Sequence, residues 1–388
     1  MNEFELYLDR NGFGNMKGAA AAKALPGTTV LYGAEMDFPT APCIRKALAD
    51  FAMKGMYGYT LADDDYRQSV CGWMKMARNF EIQPMDIVTT LGTLSGLNTA
   101  LRAFTKEGEG VIVQHPSYFN FDKAIANNGR KVVPNSMKEE QGVYSMDWED
   151  LEQKMSDPNN TFMVLCNPHN PTSKVFHPDE LKRIAELAEK YGIIVFCDEI
   201  FAETATKGHE VRPYIEFGPK HGITATSMGK AFSFTGVNHG NLLIVDEVLK
   251  KRFLAQRKKD HYGSVDPFFY TALRAAYTEE GWAWVQAMNQ HTLEIYEMMT
   301  KAFAERMPLL SLSPLEGSYV CWLDLRKLNM SREEREKFLT EEVKLLANPG
   351  EDFGPDGAGF MRLNITTTKA VIENFLNNLE AAYKKRGY

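Results

Sequence analysis

The sequence has few cysteines, no long apolar run, no internal repeat and no excess of positive charge. Its five cysteines (Cys43, Cys71, Cys166, Cys197 and Cys321) make an odd count without a C-x-x-C pair. That excludes the usual zinc frameworks and argues against a disulfide scaffold. Cys166 and Cys197 lie in apolar runs and read as small buried hydrophobes. The densest apolar stretches, Ile193 to Cys197 and Asn241 to Val245, fall far short of the ~20 residues of a membrane helix. The opening Met1-Asn2-Glu3-Phe4-Glu5 is acidic and lacks the basic start and apolar middle of a signal peptide. With 44 Lys and Arg against 51 Asp and Glu, the net charge is −7, which argues against a broad nucleic-acid or membrane-surface role. These absences imply a soluble, cytoplasmic protein.

What is present is an ordinary globular balance, 44% hydrophobic and 24% charged, in a chain of 388 residues, long enough for two or three domains and a cleft between them. From about residue 86, short apolar runs alternate with helical patterns. The strand-like runs are Asp86 to Leu91, Gly110 to Gln114, Thr161 to Cys166, Ile193 to Cys197, Ile223 to Ser227 and Asn241 to Asp246; a typical helical segment starts at Pro178-Asp179-Glu180-Leu181 and runs to Lys190. Strands that are apolar throughout, with helices between them, indicate a large, doubly wound, mainly parallel sheet. After about residue 265 the pattern changes to one long helical stretch, Phe268 to Arg306, then the strands Tyr319 to Leu325 and Phe360 to Ile365 among helices. The expected division is a large α/β domain over 46–275. A smaller α+β domain combines 1–45 with 276–388.

In open α/β sheets, ligands bind beyond the carboxyl ends of the strands. Those ends read Leu91-Gly92-Thr93-Leu94-Ser95-Gly96, His115-Pro116-Ser117-Tyr118, Cys166-Asn167-Pro168-His169-Asn170-Pro171-Thr172, Cys197-Asp198-Glu199-Ile200-Phe201 and Ser227-Met228-Gly229-Lys230. Together they offer an anion-binding helix start, an aromatic ring, an asparagine, an acid and a lysine. Pyridoxal 5'-phosphate needs that set: a lysine for a Schiff base, an acid on its ring nitrogen and a phosphate cradle. Gly222 to Lys230 is not a P-loop, because its glycine spacing is wrong and Ala231 stands where Ser or Thr is required.

Several stretches then carry a resemblance. They are Met36-Asp37-Phe38, Tyr57-Gly58-Tyr59-Thr60, Gly108-Glu109-Gly110-Val111, Asn167-Pro168-His169-Asn170-Pro171-Thr172, Asp198-Glu199-Ile200, Trp322-Leu323-Asp324-Leu325-Arg326 and Gly359-Phe360-Met361-Arg362-Leu363-Asn364. In this order they resemble the fold-type I pyridoxal-phosphate enzymes of the class I/II aminotransferase superfamily. The likeness is greatest to the MalY/PatB branch of cystathionine β-lyases. The resemblance implies a role for each matching residue. Lys230 would hold the cofactor as an aldimine and move the substrate's Cα proton, although a lysine is ordinarily a solvated surface charge. Asp198 would pair with the ring nitrogen; its bland reading is a helix cap. Asn170 would donate to the phenolic oxygen, and Tyr118 would stack on the ring. Gly92, Thr93 and Leu94 would present N–H groups to the phosphate, with a hydroxyl from Ser227. Tyr59 would reach the phosphate of a neighbouring subunit, which implies a homodimer with shared active sites. Arg362 would clamp the substrate carboxylate.

Two positions depart from that pattern. Phe201 stands where relatives usually carry Tyr or His, and Ser173 replaces a common glycine. If position 173 requires a positive φ, serine costs about 1 kcal/mol or more there. The implied reaction is carbon–sulfur β-cleavage of a sulfur amino acid to thiol, pyruvate and ammonia. An aminotransferase is the alternative, and a non-catalytic pyridoxal-phosphate-binding regulator a more distant one. No metal is called for, and no helix-turn-helix segment suggests DNA.

Overall fold

In the computed structural model, residues 3–10 and 12–388 are described; Met1 and Asn2, part of the acidic opening stretch, and Asn11 lie outside them. Seven strands form the main sheet: β1 (Ile87–Thr90), β2 (Gly110–His115), β3 (Lys131–Ser136), β4 (Asn160–Cys166), β5 (Ile194–Asp198), β6 (Gly222–Thr226) and β7 (Gly240–Leu243), in the order β1-β7-β6-β5-β4-β2-β3. All neighbours are parallel except β7, which is antiparallel to both β1 and β6. The sheet centre is buried on both faces, which explains why β2 up to Val113, β5 up to Cys197 and all of β6 read as apolar or small-residue runs. The edge strand β3 was missed in the sequence because it is half exposed and carries Pro134 and Asn135.

A second, antiparallel sheet comprises β8 (Ser311–Leu312), β9 (Val320–Asp324), β10 (Asn348–Pro349) and β11 (Phe360–Asn364), in the order β8-β9-β11-β10. Its core is Leu323, Leu363 and Ile365 against Phe303, Phe338, Phe375 and Leu379. The N-terminal segment reaches this part of the chain, since Thr29–Val30 pairs in parallel with Leu345–Leu346.

The single helix expected from Phe268 to Arg306 is two, Pro267–Ala276 and Glu279–Arg306. The break has a local cause. Thr278 caps the second helix by accepting the Gly281 N–H at 3.2 Å, and a Cβ at Gly281 would lie 1.8 Å from the Ala276 carbonyl oxygen. Only glycine allows the two helix ends to cross so closely.

Position 173 does require a positive φ. Ser173 has φ 65°, is buried, and places its Oγ 3.0 Å from that of Ser318. Ser173→Val, with a branched Cβ in the left-handed region, is expected to lower the unfolding free energy by about 2 kcal/mol or more. Ser173→Gly relieves the strain but gives up the Ser318 contact, and should stay within about 1 kcal/mol of the parent. Equal losses for the two in denaturant titrations would refute the backbone explanation.

Candidate active site

The carboxyl ends of β1, β4, β5 and β6 open into a cavity of about 590 Å³, closed on the other side by the small sheet and by Tyr32 to Glu35. Its lining brings together Gly92, Thr93, Leu94, Tyr118, Asn170, Asp198, Ser227, Lys230 and Arg362. Tyr59 does not join them: its side chain is fully exposed on the surface of its own chain.

Asp198 ends β5 and is buried. Its Oδ2 accepts from the Thr93 hydroxyl at 3.0 Å and its Oδ1 from the Ile200 N–H at 3.1 Å. Both donors are neutral, so burial dominates and pushes the carboxyl up to about 6. Lys230 sits in the short helix Met228–Ala231, capped by Ser227. Its Nζ donates to the Ala34 carbonyl at 3.1 Å and lies 5.8 Å from the centre of the Phe201 ring. Desolvation, helped by the charge of Arg362, lowers its pKa to about 8.

Arg362 comes from β11, opposite. Its Nη1 donates to Asn170 Oδ1 at 3.1 Å, and its Nη2 to Asn348 Oδ1 at 2.9 Å and the Gly33 carbonyl at 3.3 Å. Its Nε has no partner, and the guanidinium stacks on Phe353 at 4.9 Å. Among the described residues no carboxylate pairs with it, and burial lowers its pKa to about 10. A buried guanidinium satisfied only by neutral oxygens is built to receive an anion.

The helix Thr93–Phe104 begins at Gly92 with φ 86° and no side-chain cap, so its first N–H groups are free to bind an anion. Gly240 on β7 packs close behind; a Cβ there would meet the Gly92 carbonyl carbon and the Thr93 nitrogen at 3.3 Å. The Ser227 hydroxyl donates to the His239 carbonyl at 2.7 Å and accepts from the Gly229 N–H at 3.1 Å. The Tyr118 hydroxyl accepts from Asn120 at 2.6 Å while its ring lines the cavity. Because Arg362 occupies the Asn170 amide oxygen, the NH2 of Asn170 remains for an acceptor in the cavity. The donor set suits pyridoxal phosphate at each point: a helix start for the phosphate, a buried acid for the ring nitrogen, a ring for its face and a lysine within the same wall. Among the described residues no cluster of metal-binding side chains occurs.

Sequence reasoning missed Ala34, Asn348 and Tyr319. Tyr319 packs edge-on against Phe201 at 5.2 Å and donates its hydroxyl to the Ala34 carbonyl at 3.1 Å, beside Lys230. Asn348 lies in Ala347-Asn348-Pro349-Gly350, which looks like turn chemistry; only its pairing opposite Arg362 reveals its use.

The Asp198 shift has a measurable consequence. Its folded pKa of about 6 lies above its ordinary 3.8, so the native state holds this proton more tightly than the unfolded chain. Its contribution to stability therefore falls as pH rises from about 4 to about 6 and stays low above that. In ligand-free protein, Asp198→Asn should be more stable than the parent by about 1–3 kcal/mol at pH 7, and no more stable near pH 4. Denaturation curves at the two pH values check this, and a pH-independent difference would contradict it.

Comparison with known proteins agrees with this geometry. Residues 30–379 match the family "Aminotransferase class I and II". Cystathionine beta-lyase PatB of Bacillus subtilis is 30% identical over 355 residues, covering 91% of this chain and 92% of that protein. Protein MalY of Escherichia coli is 29% identical over 341 residues, covering 87% of each. The crystal structure of cystalysin from Treponema denticola, which contains pyridoxal 5'-phosphate, superposes with a TM-score of 0.95 at 28% identity over 100% of both chains. The fold is that of a fold-type I pyridoxal-phosphate transferase, and the chain belongs to the aminotransferase class I and II family.

Proposed function

We propose that this protein is a pyridoxal-phosphate-dependent carbon–sulfur β-lyase. It would convert a sulfur-bearing α-amino acid to a thiol, pyruvate and ammonia. The observation that carries the reading is the enclosed Arg362, without a counter-ion among the described residues, facing Lys230 and Asp198 across one cavity. When bound, pyridoxal phosphate supplies the electron sink into which the Cα–H electrons are drawn.

The residues would act as follows. Arg362 binds the α-carboxylate through both Nη groups and so fixes which bond at Cα faces Lys230. The Lys230 amine, with its pKa lowered to about 8, is close enough to neutral to take the Cα proton. Asp198 holds a proton on the ring nitrogen, Asn170 donates to the phenolic oxygen, and Tyr118 covers the ring face. Gly92, Thr93 and Leu94 hold the phosphate. The β-lyase reading over transamination is supported by the likeness to PatB. It is also supported by the cavity, where Arg362 is the one arginine among the described lining residues. A dicarboxylate side chain would therefore find no second guanidinium among the lining residues that this chain itself supplies.

A homodimer with shared sites completes the proposal. Tyr59 is bare, and Met53, Met56 and Leu61 in the same stretch are also largely exposed, a surface a second copy would cover. Tyr59 would then reach the partner's phosphate. The division into a large domain over 46–275 and a small one from 1–45 and 276–388 is proposed with it, placing Arg362 and Lys230 on opposite walls.

Holoprotein given L-cystathionine without any 2-oxo acid is expected to release pyruvate and thiol continuously. A visible band that bleaches after one turnover and recovers only with a 2-oxo acid would make the protein an aminotransferase instead. Lys230→Ala should lower pyruvate formation about 100-fold or more. Arg362→Lys, which loses the planar fork, should raise KM about tenfold with a smaller effect on kcat.

Phe201 offers no hydrogen-bond donor to the cofactor's phenolic oxygen, so that oxygen's anionic form has less support. Phe201→Tyr is expected to shift the pH midpoint of the holoprotein's visible spectrum downward. Identical midpoints in the two proteins would show that position 201 does not reach that oxygen.

A further inference from the structure

Tyr118 lines the cavity beside Asn120, the second residue of the helix Phe119–Asn127. The Asn120 Nδ2 donates to the Tyr118 hydroxyl at 2.6 Å. The phenol oxygen is therefore the acceptor in this bond, and among the described residues nothing accepts its own hydrogen. Both side chains are only partly buried, so that hydrogen has the open cavity before it. Tyr118 and Arg362 also lie close enough to feel each other's charge. Burial raises the pKa of the phenol, while the Asn120 bond and the guanidinium pull it back. A substrate whose carboxylate sits on Arg362 thus has this hydroxyl beside it.

The roles assigned so far supply no proton to the departing sulfur, since Lys230 is occupied in taking the Cα proton. An alkyl thiolate is a poor leaving group at neutral pH, because its thiol has a pKa of about 8.5 or higher. A phenol, with an ordinary pKa of about 10, is an apt acid for it.

We propose that Tyr118 is the general acid that protonates the leaving sulfur, and that Asn120 is the positioning residue that keeps its O–H turned to the cavity. The electron pair left at Cα closes the Cα–Cβ double bond, and the Cβ–S pair goes to sulfur. Sulfur takes the Tyr118 proton, so the thiol leaves neutral. The remaining phenolate is held by the Asn120 N–H and takes a proton back from water once the thiol has gone. The inference rests on the β-lyase reading and names the acid for its bond-breaking step.

Asn120→Asp keeps the size of the side chain and suits the first turn of a helix, but its carboxylate can only accept. It would turn the phenol's hydrogen away from the cavity, whereas Asn120→Ala merely frees the hydroxyl to rotate. Holoprotein is given S-ethyl-L-cysteine, whose thiolate needs a proton, or 3-chloro-L-alanine, whose chloride does not, and pyruvate is followed. The ratio of kcat/KM for the first to that for the second is expected to fall about tenfold or more in Asn120→Asp, and less in Asn120→Ala. A packing role alone predicts the opposite order and moves both substrates together. A second readout needs no turnover. In cofactor-free protein carrying 3-fluorotyrosine, the Tyr118 fluorine signal is assigned by its loss in Tyr118→Phe. Its titration midpoint should rise in Asn120→Asp by about one pH unit or more. An unchanged ratio, a larger loss in Asn120→Ala or an unmoved midpoint would overturn this proposal alone. A parent protein that releases no thiol from S-ethyl-L-cysteine would overturn the β-lyase reading, and this proposal with it.

Discussion

Three ionisable groups are held out of water at one place without a salt bridge, and the rest of the cleft is arranged around that fact. Asp198, Lys230 and Arg362 all face the same cavity, and among the described residues none is in an ion pair. The hydrogen bonds they do make are to neutral groups: a hydroxyl, amide oxygens, backbone carbonyls and an N–H. Neutral partners do not offset the cost of removing a charge from water, so each group is driven toward its uncharged form. The acid titrates near 6, the lysine near 8 and the arginine near 10, and burial is the leading cause for all three. A site of this kind costs folding free energy, which a ligand bearing the complementary charges returns on binding.

The two sheets make this possible by supplying opposite walls. Asp198 ends β5 and Lys230 follows β6, whereas Arg362 and Asn348 come from neighbouring strands, β11 and β10. Residues 33–37 bridge them: the Gly33 carbonyl accepts from Arg362 and the Ala34 carbonyl from Lys230. This bridge is itself pinned by a buried ion pair. Lys17 reaches Asp37 at 2.6 Å with both side chains almost fully covered, and Arg10 contacts Glu35 at 3.1 Å. Removing one partner of such a pair strands the other in the interior at a cost of about 3–5 kcal/mol. The N-terminal segment therefore fixes the position of the carbonyl that receives the lysine.

Much of this was legible in the sequence, for a local reason. An apolar strand followed by Gly-Thr, Asn-Pro or an acid declares its own end, and the end of a strand in such a sheet is where ligands bind. Gly92, Asp198 and Lys230 could be placed in that way. Residues that matter through a long-range crossing could not. Asn348 acquires its use only by lying opposite Arg362. The split at Tyr277 was also hidden, because the apolar periodicity runs through it and the deciding feature is the Ala276 carbonyl over Gly281. The sequence marks Ser173 as strained only if its φ is positive, and the structure supplies that condition, a φ of 65°.

The shared acceptor at Ala34 ties these threads together. Its carbonyl receives the Lys230 ammonium and the Tyr319 hydroxyl, each at 3.1 Å. A lysine that must leave its resting position to do chemistry would ordinarily abandon a buried carbonyl, at a cost comparable to a lost hydrogen bond. Here the carbonyl keeps Tyr319 when Lys230 swings away. Burial holds that phenol firmly protonated, so it remains a donor across the working pH range. The same arrangement accounts for Phe201. Its ring packs edge-on against Tyr319, whose hydroxyl donates to Ala34. A polar residue at 201 would compete for that hydroxyl. The aromatic ring gives up a donor toward the cavity and packs against the tyrosine whose hydroxyl shares the lysine's acceptor.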